Sequence, residues 1–136
     1  MGPVFLDSDD VLHIHEQMIA LGGRSLGVRD AGMLESAVAM PQAGFGNEYL
    51  HPNLFEMAAA YLFHITMNHP FIDGNKRTGL ATALAFLDLN GLDIVMDQRA
   101  TYDLVIGVCE GTVTKGALAT VFRDHAVPLD DQQDGS

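Results

Sequence analysis

A short loop bracketed by Pro70 and Gly74, set between two apolar helical stretches, constrains this chain more than any other feature. From Asn53, a capping residue, Leu54, Met57, Ala58, Tyr61, Leu62 and Ile65 recur at three- and four-residue spacing. That spacing puts them on one face of an amphipathic helix. Pro70 breaks the helix, and after Gly74 a second one runs through Asn90 with few polar positions, as in a helix buried on most sides. Gly91 is the expected C-cap.

Around this pair the remaining helices can be placed from their caps. Asp7 or Ser8 can start a first helix carrying Val11, Leu12, Ile14, Met18, Ile19 and Leu21, and Gly22-Gly23 stops it. Asp30 caps a second helix to about Met40, where Pro41 and the Gly44-Phe45-Gly46 cluster end the periodicity. Gln42 to His51 is loop or hairpin. Helices over about Gln98–Glu110 and Lys115–Ala126 complete the set, with Ile94 to Met96 as a brief extended link. The expectation is an all-α, compact bundle of about six helices with at most one short β-hairpin. One domain over 1–128 is expected, followed by a frayed polar tail over 129–136.

The bulk numbers agree with one core and narrow the partners. Of 136 residues, 48% are hydrophobic and 18% charged, enough for one domain of ordinary size. Eighteen acidic against seven basic side chains give a formal charge of −11, which argues against direct nucleic-acid binding and against an anionic membrane surface. A protein is the expected macromolecular partner. The single cysteine, Cys109, forms no intrachain disulfide and suits the cytoplasm. Met1 to Asp10 does not read as a signal peptide, and Gly79 to Leu92, interrupted by Thr82, Asp88 and Asn90, is too short to span a bilayer.

The loop exit is where chemistry concentrates. First-turn N–H groups of Gly74, Asn75 and Lys76 sit at the positive end of a helix dipole, and Gly74 allows a phosphate to approach the backbone. Lys76 and Arg77 add two full charges in a chain with few cations. Asp73 could hold a magnesium ion that bridges phosphate oxygens, although the simpler reading is an N-cap. His69 could act as general base on a hydroxyl, although a lone histidine at a helix end is usually structural. Base, metal carboxylate, the polar phosphate ligand Asn75 and two cations within one turn favour the functional reading. Phe71 and Ile72 read as wedges that pin the loop.

His69 to Arg77 resembles the H-P-F-x-[D/E]-G-N-x-R signature of the Fic/Doc family. The similarity extends to Gly27-Val28-Arg29-Asp30, the Pro41-to-Gly46 segment, the helix from Asn53 and the Asn90-Gly91 helix end, covering residues from about 5 to 127. The resemblance implies a mostly helical fold, a cytoplasmic location and a magnesium-dependent reaction of ATP, or another nucleotide, with a protein hydroxyl. It implies that His69 deprotonates the target hydroxyl, that Asp73 holds magnesium, that Asn75 and Arg77 grip phosphates and that Phe71 anchors the loop. By the same resemblance Gln42 to Tyr49, with Phe45, Gly46, Asn47, Glu48 and Tyr49, is the flap that aligns the target chain as an added strand. Doc-type members are commonly toxins paired with an antitoxin, and the Doc resemblance suggests elongation factor Tu as target.

Two positions rank the reactions. Lys76 stands where adenylylating members usually have Gly, and Leu80 where they usually have a second Arg for the terminal phosphate; both are Doc-like. The nucleotide could then bind reversed and give up its γ-phosphoryl group. Gly74 follows the Fic pattern, so AMP transfer stays open as the alternative. A non-enzymatic nucleotide- or partner-binding module is the rival class. Glu110-Gly111 is the nearest approach to the family's inhibitory-helix pattern, but Ile106 occupies its Ser/Thr position, so restraint is expected from a separate antitoxin.

Other residues read more plainly. His64 precedes His69 by five residues, a spacing that does not share a helix face, so a transition-metal site is not expected there or at His13 and His15. His64 reads as a helix-face residue, Cys109 as a buried structural thiol and Asp7, Asp9, Asp10 and Glu16 as a solvated face, with attraction of a basic antitoxin as the other reading.

Overall fold

The computed structural model describes residues 2–129. Among these residues the chain forms six α-helices: α1 (Ser8–Gly22), α2 (Ala31–Ala39), α3 (Leu54–Asn68), α4 (Asn75–Leu89), α5 (Gln98–Glu110) and α6 (Lys115–His125). A 3₁₀ turn over Met40–Gln42 follows α2. The chain is thus mostly helical, as its periodicity predicts.

Five of the six helices start on a side-chain cap. The Asp7 side chain accepts from the Asp10 N–H, and the Asp7 N–H donates in return to the Asp10 carboxylate, a capping box for α1. Asp30 caps α2, Asn53 α3, Asp97 α5 and Thr114 α6, each accepting from the backbone three residues on. Only α4 starts uncapped: its N-cap is Gly74, left-handed at φ 81°. At its other end the C-cap is Asn90 rather than Gly91, which lies one position beyond in the left-handed region. The Asn90 side chain takes over there, bonding both polar groups of the Val4 backbone and the Phe86 carbonyl.

The centre of the core is α3. Ala58, Ala59, Ala60, Tyr61, Leu62 and Ile65 are fully buried, packed among Val11, Ala37, Phe86, Leu87, Leu118 and Phe122. The α3–α4 contact is close because Gly79 has no side chain. A Cβ there would meet Thr66 Oγ1 at 2.8 Å and the Leu62 carbonyl at 3.1 Å. Buried Tyr61 keeps its hydroxyl satisfied by accepting from Leu6 N at 2.9 Å and donating to Leu6 O at 3.1 Å, which pins the N-terminal segment to the core.

Two small antiparallel ribbons complete the fold. The first is the expected hairpin: β1 (Gly44–Phe45) pairs with β2 (Glu48–Tyr49), and Gly46 takes φ 65° at the turn. The second pairs β3 (Leu92–Ile94) with β4 (Ala126–Pro128), so the extended link expected at Ile94–Met96 starts earlier and is a paired strand. No turn joins its strands, and pairing between three-residue segments so far apart leaves no local sequence mark. Leu129 donates to the Gly91 carbonyl at 3.0 Å. Residues 130–136 of the expected tail lie outside the described residues.

Candidate active site

The α3–α4 loop is held from three sides. Along one edge it pairs with the segment before α2: Arg29 and Asp30 both donate from their backbone N–H to Pro70 O, at 2.7 and 3.0 Å. Ile72 N donates to Gly27 O at 3.1 Å, and Val28 and Phe71 form an antiparallel bridge. From below, buried Phe71 enters the core and stacks on His15 of α1, with ring centroids 3.8 Å apart and planes 5° from parallel. His15 Nε2 also lies 2.8 Å from Asp73 O; a carbonyl only accepts, so Nε2 carries the hydrogen. From within, the buried Asn75 amide pairs with the Phe71 backbone, accepting from its N–H at 2.9 Å and donating to its carbonyl at 3.0 Å.

This scaffold places His69 at the C-terminal end of α3 with φ 50° and ψ 54°, the only non-glycine residue with positive φ among the described residues. The left-handed turn leaves His69 exposed while its neighbours Pro70 and Phe71 are buried. Asn75 Nδ2 lies 3.2 Å from His69 Nδ1. Because Phe71 fixes which end of the amide is nitrogen, His69 accepts at Nδ1 and the neutral ring carries its hydrogen on Nε2.

Asp73 does not cap α4. Its Oδ2 instead accepts from Arg24 N at 2.8 Å. That backbone donor, aided by the N–H groups of Gly74 and Ser25 and by the Arg24 charge, holds the carboxyl below its ordinary value against a smaller opposing desolvation. The carboxylate is therefore ionised throughout the neutral range. The first turn of α4 keeps its backbone donors without a side-chain cap. Lys76 and Arg77 are both exposed, and among the described residues neither forms an ion pair. Arg77 reaches back over Gly22 at the end of α1, where a Cβ would meet Nη1 at 3.1 Å.

His69, Asp73, Gly74, Asn75, Lys76 and Arg77 together line one cavity of about 330 Å³, with Met18, Ile19 and Gly22–Arg24 of the α1 end lining it as well. Lys76 and Arg77 also border a second, more apolar groove of about 640 Å³, lined by Leu80, Tyr102, Val105 and Ile106. The two hollows adjoin across the paired cations. The hairpin residues Phe45, Gly46, Asn47, Glu48 and Tyr49 stand outside this cavity, with Phe45 92% exposed.

A cavity that combines an exposed histidine, an ionised carboxylate and an open cationic helix start suits anionic, phosphate-bearing ligands. Comparison with known proteins decides the family, because the model of the Fic/DOC family matches residues 5–87. The chain belongs to the Fic/DOC family. It is 45% identical over 93 residues to Toxin Doc of Mycolicibacterium smegmatis, covering 68% of this chain and 69% of that protein. It is 32% identical over 118 residues to Protein kinase doc of Escherichia phage P1, covering 87% and 92%. The Fic/DOC match spans α1, α2, α3 and most of α4, the elements that build the loop and its cavity.

Sequence reasoning missed two residues that shape this Fic/DOC loop. The spacing of His13 and His15 offers no metal pair, yet His15 is buried and holds the loop. Its placement at the α1 position facing the core, beside buried Val11, was the available signal. Arg29 has no role that its sequence neighbours reveal, and its guanidinium bonds the end of α3. His64 is a half-buried helix residue whose Nε2 accepts from Lys115 Nζ at 3.1 Å. Cys109 is a free, half-buried thiol. Among the described residues no helix is long and apolar enough to cross a membrane.

Proposed function

We propose that this protein is a protein-modifying transferase that moves the γ-phosphoryl group of ATP to a hydroxyl of a target protein. It acts as a cytoplasmic toxin restrained by a separate antitoxin protein. One observation carries the reading: an exposed His69 is fixed beside the uncapped, doubly cationic start of α4. The relatives named Toxin Doc and Protein kinase doc support the toxin and kinase parts. The resemblance to Doc suggests elongation factor Tu as the target.

In this scheme the first-turn N–H groups of α4, with Lys76 and Arg77, hold the transferring phosphate and offset the charge that spreads over its oxygens. The nucleoside lies toward the apolar groove beside Leu80 and Tyr102. The target hydroxyl oxygen bonds to the γ-phosphorus, the bond from that phosphorus to the β–γ bridging oxygen breaks, and ADP leaves. The hydroxyl proton goes to His69. Its lone pair is on Nδ1, which in the resting loop accepts from the Asn75 amide, so the hydroxyl takes the place of that donor as it delivers the proton. Asn75 stays held by the Phe71 backbone through both ends of its amide while His69 takes the proton.

Asp73 fits a magnesium ion. Its carboxylate stays ionised, one oxygen is held by Arg24 N–H, and a lone carboxylate that shares the metal with phosphate is the usual arrangement for this cation. When bound, magnesium would draw charge from the phosphate oxygens. The β1–β2 hairpin, exposed and short, would take the target backbone as an added strand at Phe45 to Tyr49.

AMP transfer is the second reading, favoured by Gly74, which keeps the Fic form of the motif. Against it, Leu80 stands at the position where adenylylating members usually carry a second arginine for the terminal phosphate, and here it lines the apolar groove. Incubation with magnesium, a cell extract and ATP labelled on either the α- or the γ-phosphate separates the readings. Label from γ alone is expected. Label from α establishes AMP transfer, and no label from folded protein leaves a binding module. Growth arrest on expression, relieved by co-expressing the adjacent reading frame, tests the toxin–antitoxin part.

A further inference from the structure

The carbonyl groups that end α3 have no helical partners, and the last of them belongs to His69 itself. Arg29 supplies what they lack. Its Nε donates to His69 O at 2.6 Å and its Nη2 to Asn68 O at 3.0 Å, so one planar guanidinium spans two successive carbonyls. The cation also sits at the negative end of the α3 dipole. Its own backbone N–H donates to Pro70 O at 2.7 Å, so main chain and side chain of one residue hold three consecutive carbonyls, those of Asn68, His69 and Pro70.

Those carbonyls belong to the one stretch whose backbone works against a side chain. His69 is left-handed at φ 50°, a conformation that is unfavourable for any residue with a Cβ and that persists only where its surroundings impose it. Asn75 touches only the imidazole of His69, and His15 holds the loop farther along, at Asp73. Among the described residues Arg29 is the side chain that grips the His69 main chain.

We propose that Arg29 is a positioning residue that imposes the left-handed turn at His69 and thereby aims the imidazole at the anion cavity, touching neither nucleotide nor target. The inference rests on the reading of His69 as the base. It gives a role to the Gly27-Val28-Arg29-Asp30 segment, whose main chain braces the loop and whose arginine sets the angle at which the loop begins.

The full chain carrying Arg29→Lys, and separately Arg29→Ala, tests this. Lysine keeps the charge but is a single point donor that cannot span both carbonyls. Both variants are expected to lower kcat about 10- to 100-fold, the scale on which a misplaced catalytic group costs rate. The KM for ATP should stay within about twofold, because the phosphate donors on α4 are untouched. Added guanidinium at low millimolar concentration should restore part of the rate to Arg29→Ala and none to His69→Ala. Backbone NMR couplings should report a left-handed His69 in the wild type and its loss in Arg29→Ala while the other helices keep their shifts. A His69 that stays left-handed in Arg29→Ala, or a kcat within twofold of wild type, overturns the proposal. Wild-type protein that transfers no label yet loses the left-handed turn in Arg29→Ala would sink the transferase reading and leave the positioning role standing.

Discussion

Asn75 and His69 meet through one contact, Nδ2 to Nδ1 at 3.2 Å, and the direction of that contact sets which nitrogen of the imidazole carries the hydrogen. The amide cannot turn over in the resting loop, because the Phe71 backbone reads its oxygen and its nitrogen separately. Asn75→Asp replaces the donor that faces Nδ1 with an acceptor. Nitrogen-15 NMR of the ring should show the Nε2–H tautomer in the wild type and the Nδ1–H tautomer in Asn75→Asp; an unchanged tautomer would contradict this reading of the contact. Phosphoryl transfer should also fall by about 10- to 100-fold, because a carboxylate then lies at the anion site and the base is set differently.

His15 and Phe71 make separable contributions to the loop. Phe71→Ala empties a fully buried aromatic site and should cost about 3–5 kcal/mol in urea unfolding. His15→Phe keeps a flat ring on Phe71 but strips Asp73 O of its donor, an unsatisfied polar group worth about 1–3 kcal/mol. If His15→Phe were as stable as wild type, the hydrogen bond to Asp73 O would have no structural weight.

Gly79→Ala should reverse the usual helix preference. At an exposed helix position alanine gains about 1 kcal/mol over glycine. Here the added Cβ meets the Leu62 carbonyl as well as Thr66 Oγ1, and backbone cannot step aside, so α3 and α4 must separate. We expect a net loss of about 1–3 kcal/mol, the cost of overpacking, read as a lower urea midpoint with an unchanged slope.

His64 predicts a pH dependence of stability. Burial first, then the Lys115 and His51 charges, push its pKa from 6.5 down to about 4. The unfolded chain therefore binds a proton between pH 6.5 and 4 that the folded chain refuses. Stability from this group is complete above about 6.5 and drains away as pH falls toward 4. The urea midpoint should drop over that window, and less steeply in His64→Leu. An equal slope in both proteins would assign the effect to other groups.

Much of this fold is legible because caps and breakers are local. Asp7, Asp30 and Asn53 start their helices as their side chains dictate, and Pro70 and Gly74 bound the loop. The proximity of the candidate residues is also legible, since His69 and Asp73 to Arg77 lie in one short stretch and share one cavity. What escaped the sequence was what reaches the stretch from elsewhere. Asp73 looks like a cap in sequence, and only the approach of Arg24 N–H turns it aside. His15 and Arg29 act across gaps of dozens of residues, and their effect depends on α1 and the Gly27–Asp30 segment packing against the loop. The β3–β4 ribbon is hidden for the same reason.

His69 is proposed as the base of a transfer reaction at the start of α4. Its most direct test is the rate at which γ-labelled phosphate reaches protein at saturating ATP and magnesium, wild type against His69→Ala. The scheme predicts a fall of at least about 100-fold in a variant that stays folded. A folded His69→Ala protein that transfers label within a few-fold of the wild-type rate would contradict it.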